Sequence, residues 1–269
     1  MAARRKTLSN LPLLWRVLAG TAVNAVTHPT ELRYRTLREF WLAAKRGGST
    51  EIRVINVAEV RGMTEVVVEG YVDDYNRAVI AALCSLLQCK TFFEFGTERG
   101  KTTWTVARNN PETALYTLDL PSQEAAHEAK LEMTDPHLFR YWDRGSAFAN
   151  TQEDERIKRL SGDSASFDYA PYEGKMDMVY VDGSHSYEYV KNDTEAAFRL
   201  LSPSGAILWD DYPDYPGVYR YLNDLARQTS EPFFHFSATR LALYARSGLV
   251  ERLGLSKDGR SSTPEKHEP

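Results

Sequence analysis

KTFFEFGT (90–97), TTWTVARN (102–109) and ALYTLDL (114–120) decide the fold. The first and third are short apolar runs of strand length, and the second has helical spacing. A glycine turn ends the first run and the helix opens directly behind it. The alternation recurs downstream. MDMVYVDG (176–183) reads as a strand, and SYEYVKNDTEAAFRLL (186–201) as a helix stopped by Pro203 and Gly205. AILWDD (206–211) is a strand and VYRYLNDLAR (218–227) a helix, while FFHFSA and LALYAR pair antiparallel and close the sheet edge. Strands separated by helices over about 150 residues predict an α/β fold, a doubly wound and mostly parallel seven-stranded sheet with helices on both faces. Right-handed crossovers then line the carboxyl ends of the strands along one rim, where ligands bind.

Other segments are less regular. Asp74 opens a helix whose apolar face is Val79, Ile80, Leu83, Leu86 and Leu87, and TEVVVEGY (64–71) ahead of it is β-prone or a linker into the domain. Ala125 to Leu131 begins another helix. Between 133 and 163 a strand is expected near Leu138 or Ala147, with a helix over EDERIKRL (153–160). The chain divides into a helical N-terminal extension (1–62), a ligand-binding domain (63–248) and a polar, turn-rich tail (249–269).

Composition narrows the function classes. The 269 residues carry 33 Lys plus Arg against 37 Asp plus Glu, a net charge of −4, which argues against a nucleic-acid binder. LPLLWRVLAGTAVNAV behind Arg4, Arg5 and Lys6 imitates a signal peptide, but Arg16 interrupts it and no transmembrane segment is expected. That stretch reads as an amphipathic helix packed on the domain or on a second subunit in a homo-oligomer, with a membrane-surface helix as the lesser alternative. Trp15, Tyr34, Phe40 and Trp41 would supply a lid or a dimer contact. Cys84 and Cys89 would face about 140° apart on a helix, so they read as buried thiols in a cytoplasmic protein.

Three signals mark the rim of the first strands. In Glu94-Phe95-Gly96-Thr97-Glu98-Arg99-Gly100, two glycines four apart allow a sharp turn and close packing of the helix start. A dinucleotide fingerprint would need glycine where Glu98 stands, and a glutamate is a poor neighbour for phosphate. S-adenosylmethionine, a sulfonium with an amino acid tail and no phosphate, suits these residues better. Glu94 would accept from its ammonium or a bound water, and the amides near Gly96 and Thr97 would hold the chain. Asp119, 25 residues after Glu94, can grip both ribose hydroxyls, as it also would in a nicotinamide enzyme. Asp163 either accepts from the adenine amino group or sits in a surface turn.

The later strand tips carry different chemistry. Asp182 ends one strand with His185 three residues on, and Asp210 and Asp211 end the next. Three clustered carboxylates repel unless a cation or protons intervene, and Mg²⁺ is the economical cation for oxygen donors. Alternatively Asp210 or Asp211 caps the following turn, Asp182 binds loop amides, and His185 is a satisfied histidine. With Mg²⁺ bound, a substrate hydroxyl would be activated and His185 would take its proton. Tyr187, Tyr212, Tyr215 and Tyr219 either line a substrate pocket or belong to the core.

EFGTERG (94–100), LD (118–119), VYVDGSHSYEYVKND (179–193) and LSPSGAILWDDY (201–212) together resemble the class I S-adenosylmethionine-dependent methyltransferases. Within them the chain is similar to the bacterial macrocin and macrolide sugar O-methyltransferases, related to the catechol type. The resemblance covers about residues 75–246 and is most specific at D-G-S-H-S-Y and D-D-Y. It implies a Rossmann-like methyltransferase fold, S-adenosylmethionine contacts from Glu94, Gly96, Gly100, Asp119 and Asp163, and Mg²⁺ ligands Asp182, Asp210 and Asp211. It implies His185 as base, where catechol enzymes carry lysine. Asp211 departs from the asparagine common in those enzymes. The implied acceptor is a small-molecule hydroxyl on a natural-product or envelope sugar. Rival readings are an N-methyltransferase, a nicotinamide oxidoreductase and a non-catalytic partner-binding protein that kept the fold.

Overall fold

The computed structural model describes residues 51–68, 74–133 and 146–255, besides the lone position 22. The readings of the N-terminal helix and its aromatic residues, of a strand near Leu138, and of the tail beyond 255 fall outside the described residues. Among the described residues the strands are β1 (Arg53–Ile55), β2 (Thr91–Phe95), β3 (Ala114–Asp119), β4 (Ile157–Ser161), β5 (Met176–Val181), β6 (Leu201–Trp209), β7 (Phe233–Phe236) and β8 (Ala242–Ala245). The helices are α1 (Tyr75–Leu86), α2 (Lys101–Asn109), α3 (Gln123–His127), α4 (Tyr187–Leu200), α5 (Pro216–Gln228) and α6 (Ser247–Arg252). The strands form one sheet in the order β1-β7-β8-β6-β5-β2-β3-β4. Every ladder is parallel except those of β8, which runs antiparallel to both β6 and β7.

Burial on both faces explains why the central strands read as continuous apolar runs. Along β5, Met178 and Tyr180 enter one core with Phe92, Ile80 and Leu83 of α1, and Val106 of α2. Val179 and Val181 enter the other core, with Phe93, Phe95, Leu200 of α4 and Leu222 of α5. Each such side chain contributes roughly 1.5–3 kcal/mol of burial, so the sheet is fixed in register by its two cores rather than by its turns. The helices start where side-chain caps satisfy their first amides: Asp74 accepts from Arg77 N at 2.9 Å, and Ser186 from Tyr189 N at 3.2 Å.

The periphery departs from expectation in four places. Among the described residues the sheet has eight strands, one more than the expected seven, because Arg53–Ile55, from the expected lead-in, pairs in parallel with β7. The β7–β8 pair therefore does not close the edge; β8 is inserted beside β6 and β1 lies outermost. TEVVVEGY forms no strand over its described residues, where a 3₁₀ turn at Met63–Glu65 gives way to irregular chain. EDERIKRL is not a helix. One 3₁₀ turn, Asp154–Arg156, leads into β4, and Ala147 lies in a turn. The reason is tertiary: Arg156 donates to the carbonyls of Ala107 (2.7 Å), Thr113 (3.2 Å) and Asn110 (3.3 Å), tying the segment to the end of α2. Ile157 then enters the core beside β3. At the other end, Leu249, Val250, Leu253 and Leu255 are buried, so packed structure continues past residue 248. Cys84 and Cys89 are free, buried thiols, and no described helix is long and apolar enough to cross a membrane.

Candidate functional site

The tips of β2, β3, β5 and β6 open on one cleft of about 400 Å³, a volume suited to a cofactor-sized ligand. Glu94, Gly96, Thr97, Asp119, Asp163, Asp182, His185, Asp210 and Asp211 all line it. Gly100 does not. Its φ of +67° caps α2, and an added Cβ would stand 2.1 Å from Phe148 Cε1, so this glycine serves helix packing. At Gly96 (φ +88°) a Cβ would stand 2.1 Å from the Asp182 carbonyl oxygen. The turn after β2 thus presses on the backbone at the tip of β5, joining the two halves of the cleft.

In the first half the carboxyls are met by hydroxyls and amides. Glu94 Oε2 accepts from the hydroxyls of Thr103 and Thr117, and Thr117 also meets Thr97 at 2.6 Å. Burial pushes the Glu94 carboxyl up to about 8, against the pull of those hydroxyls. Asp119 accepts from Glu98 N and Leu120 N, both at 2.8 Å, and burial raises it to about 6 despite them. Asp163 follows β4, not a helix. It organises its loop, accepting from Lys130 N (2.8 Å), Ala165 N (2.9 Å) and the Tyr189 hydroxyl (3.0 Å).

In the second half the groups are ionic. His185 Nε2 lies 2.8 Å from Asp211 Oδ2, and its ring stacks on Tyr215 with centroids 3.9 Å apart. Asp182, His185 and Asp211 bring ligand atoms within 4.8 Å of one another. Two carboxylates and an imidazole are a donor set that fits a divalent ion. Asp210, in contrast, is turned into the protein. Asn76 Nδ2 (3.1 Å) and Asp211 N (2.7 Å) donate to its Oδ1, and the Tyr180 hydroxyl (2.7 Å) to its Oδ2. That hydroxyl is also 3.1 Å from Asp182 Oδ2. One O–H cannot donate to both, and burial followed by repulsion from Asp210 and Asp211 holds Asp182 well above the usual carboxylate range.

The sequence reading missed Arg240. Its guanidinium reaches Asp210 Oδ2 (3.3 Å) and Asp211 Oδ1 (3.2 Å). The signal lies in register. Trp209 faces Ala242 and Leu208 faces Leu243, so two steps beyond the ladder Asp211 meets Arg240. Asn76 and Tyr180 were missed as well. Of the four rim tyrosines only Tyr215 lines the cleft, while Tyr212 is buried against Tyr219 and Tyr187 bonds Asp224 at 3.1 Å.

Residues 93–212 match a family model described as a methyltransferase domain. The fold is that of the class I S-adenosylmethionine-dependent methyltransferases. A candidate caffeoyl-CoA O-methyltransferase from Staphylococcus aureus superposes with a TM-score of 0.50 at 13% identity, covering 77% of this chain and 97% of that one. TomG, an O-methyltransferase of tomaymycin synthesis from Streptomyces achromogenes, gives a TM-score of 0.45 at 18% identity over 70% of this chain and 86% of its own. Protein R132 of Acanthamoeba polyphaga mimivirus, itself uncharacterised, is 32% identical over 89 residues, 29% of this chain and 39% of that protein. The methyltransferase-domain match runs from within β2 to just past the tip of β6, the segment that carries both halves of the cleft except Asp74, Asn76, Arg77, Tyr215 and Arg240.

Proposed function

We propose that this protein is an S-adenosylmethionine-dependent O-methyltransferase, assisted by Mg²⁺, that methylates a hydroxyl of a small molecule such as a natural-product or envelope sugar. One observation carries the reading: a single cleft has buried carboxyls met by hydroxyls and backbone amides at one end and an Asp–His pair among further acids at the other. Glu94, Asp119 and Asp163, with the Gly96–Thr97 turn, would hold S-adenosylmethionine, which supplies an electrophilic methyl when bound. A carboxyl raised to about 8 is suited to a cationic ligand, whose charge would draw it into its ionised form. Phosphate cofactors meet the opposite: Glu94, Glu98, Asp119 and Asp163 all face the cleft.

Asp182 and Asp211 would hold the divalent ion, with Asp210 behind them and His185 beside them left to the proton; bound there, the ion would supply Lewis acidity that lowers the pKa of a substrate hydroxyl. The chain's own part in the proton transfer lies with His185. Asp211 at Nε2 fixes the tautomer that carries its lone pair on Nδ1 and stabilises the imidazolium after the proton arrives. Stacking on Tyr215 sets the plane of the ring. A base held this way favours a hydroxyl acceptor over an amine, because a neutral amine attacks without prior loss of a proton.

Calorimetry with the purified protein tests the reading. S-adenosylmethionine should bind both with Mg²⁺ and with a chelator, and absence of binding in every condition overturns it. Asp182→Ala should abolish transfer to an acceptor found by a hydroxyl-compound screen, with cofactor affinity kept within about threefold. Equal turnover with and without chelator removes the metal and leaves methyl transfer standing.

A further inference from the structure

Arg240 brings a fixed positive charge to the carboxylates that the preceding reading gives to a divalent ion. Its Nη1 is 3.2 Å from Asp211 Oδ1 and its Nη2 is 3.3 Å from Asp210 Oδ2. The other oxygen of Asp211 is held by His185 at 2.8 Å. A guanidinium stays charged at any working pH, so a cation added to this carboxylate set is repelled by one already there. Of His185 and Arg240, it is Arg240 that has room to leave Asp211. The His185 side chain is 10% exposed and stacked on Tyr215, whereas the Arg240 side chain is 47% exposed. The Arg240 backbone is pinned, its carbonyl accepting from Tyr212 N at 3.0 Å and its amide donating to Asn76 Oδ1 at 3.3 Å. Movement is therefore confined to the side chain.

We infer that Arg240 is a displaceable counter-cation of the metal site: its guanidinium neutralises Asp210 and Asp211 while the site holds no metal, and it must give up Asp211 when a divalent ion binds. The inference rests on the metal part of the proposed function. Arg240 thereby weakens metal affinity and keeps the acidic tips compatible with folding in the absence of metal. The device needs no change in backbone.

Mn²⁺ binding to the full-length protein, with neither S-adenosylmethionine nor acceptor present, is the test, read as free Mn²⁺ by electron paramagnetic resonance. Arg240→Gln should bind Mn²⁺ at least about tenfold more tightly than the wild type, because the competing charge is gone. Arg240→Lys, which keeps the charge, should stay within about threefold of the wild type. Wild-type and Arg240→Gln proteins that bind Mn²⁺ equally overturn the inference alone, as does an equal gain in Arg240→Lys. No Mn²⁺ binding by either protein overturns the metal site with it. Should Arg240→Gln fail to fold, the Arg240 Nε–H resonance of the wild type, assigned by its loss in Arg240→Lys, decides. It should move during a Mg²⁺ titration, and a resonance that stays put at saturation overturns the inference.

Discussion

The two halves of the cleft solve the same problem by different means. Each buries carboxyls at strand tips. Around β2 and β3 they are met by threonine hydroxyls and backbone amides, and burial leaves Glu94 at about 8 and Asp119 at about 6. Around β5, β6 and β8 they are met by Arg240, His185 and one another, and repulsion from neighbouring acids adds to burial at Asp182. Hydroxyls and amides leave a deficit of positive charge that a cationic ligand can fill. Ionic partners leave a balance that must be rearranged before chemistry. The first half is thus poised to bind and the second to exchange a proton.

Breaking the junction between the halves should have the largest effect. Gly96→Ala places a methyl at 2.1 Å from the Asp182 carbonyl oxygen in a backbone of φ +88°. Neither atom belongs to a flexible side chain, so β2 and β5 must part. Loss of about 3 kcal/mol or more of stability is expected, together with loss of cofactor binding, as measured by chemical denaturation and calorimetry. A Gly96→Ala protein that binds cofactor normally would show the halves to be independent. Next in size is the second half alone. His185→Ala should lower turnover by about a hundred- to ten-thousand-fold with cofactor affinity unchanged, and Asp211→Asn should follow it in part by misorienting the ring. A fall in cofactor affinity to match would mean that the imidazole binds rather than catalyses.

How much of this was legible depends on what each residue needs. Glu94, Gly96, Asp119, Asp182 and Asp211 stand at the ends of strands whose apolar runs are unmistakable, and a parallel sheet puts such ends on one rim whatever the strand order. Arg240 was hidden because its place depends on β8 running antiparallel beside β6, which neither segment announces. Asn76 reaches Asp210 across 134 residues of chain for the same reason. EDERIKRL has charges at helical spacing, and only the bonds of Arg156 to distant carbonyls and the burial of Ile157 make it strand. Short edge strands such as β1 carry too few residues to show a period. The acceptor is the least legible of all, since only Tyr215 among the rim tyrosines faces the cleft.

The first half can be sharpened by pH. Burial raises the Glu94 carboxyl from 4.5 to about 8, so the folded protein binds a proton there that the unfolded chain has lost between those values. Its contribution to stability is therefore complete below about 4.5 and is lost as pH rises towards 8, the reverse of an ion-paired carboxylate. Asp119, raised from 3.8 to about 6, and Asp193, raised from 3.8 to about 7, act in the same direction over lower windows. A cationic ligand requires the ionised form of Glu94, so cofactor affinity should rise with pH by up to about tenfold per unit until it levels near 8. Glu94→Gln should bind more weakly at pH 8, lose that dependence, and reduce the fall of Tm between pH 7 and 8, where Asp119 is already ionised and Asp193 is completing its own titration. Affinity that rises as steeply in Glu94→Gln as in the wild type would place the deficit of positive charge on another group and dissolve the contrast between the two halves.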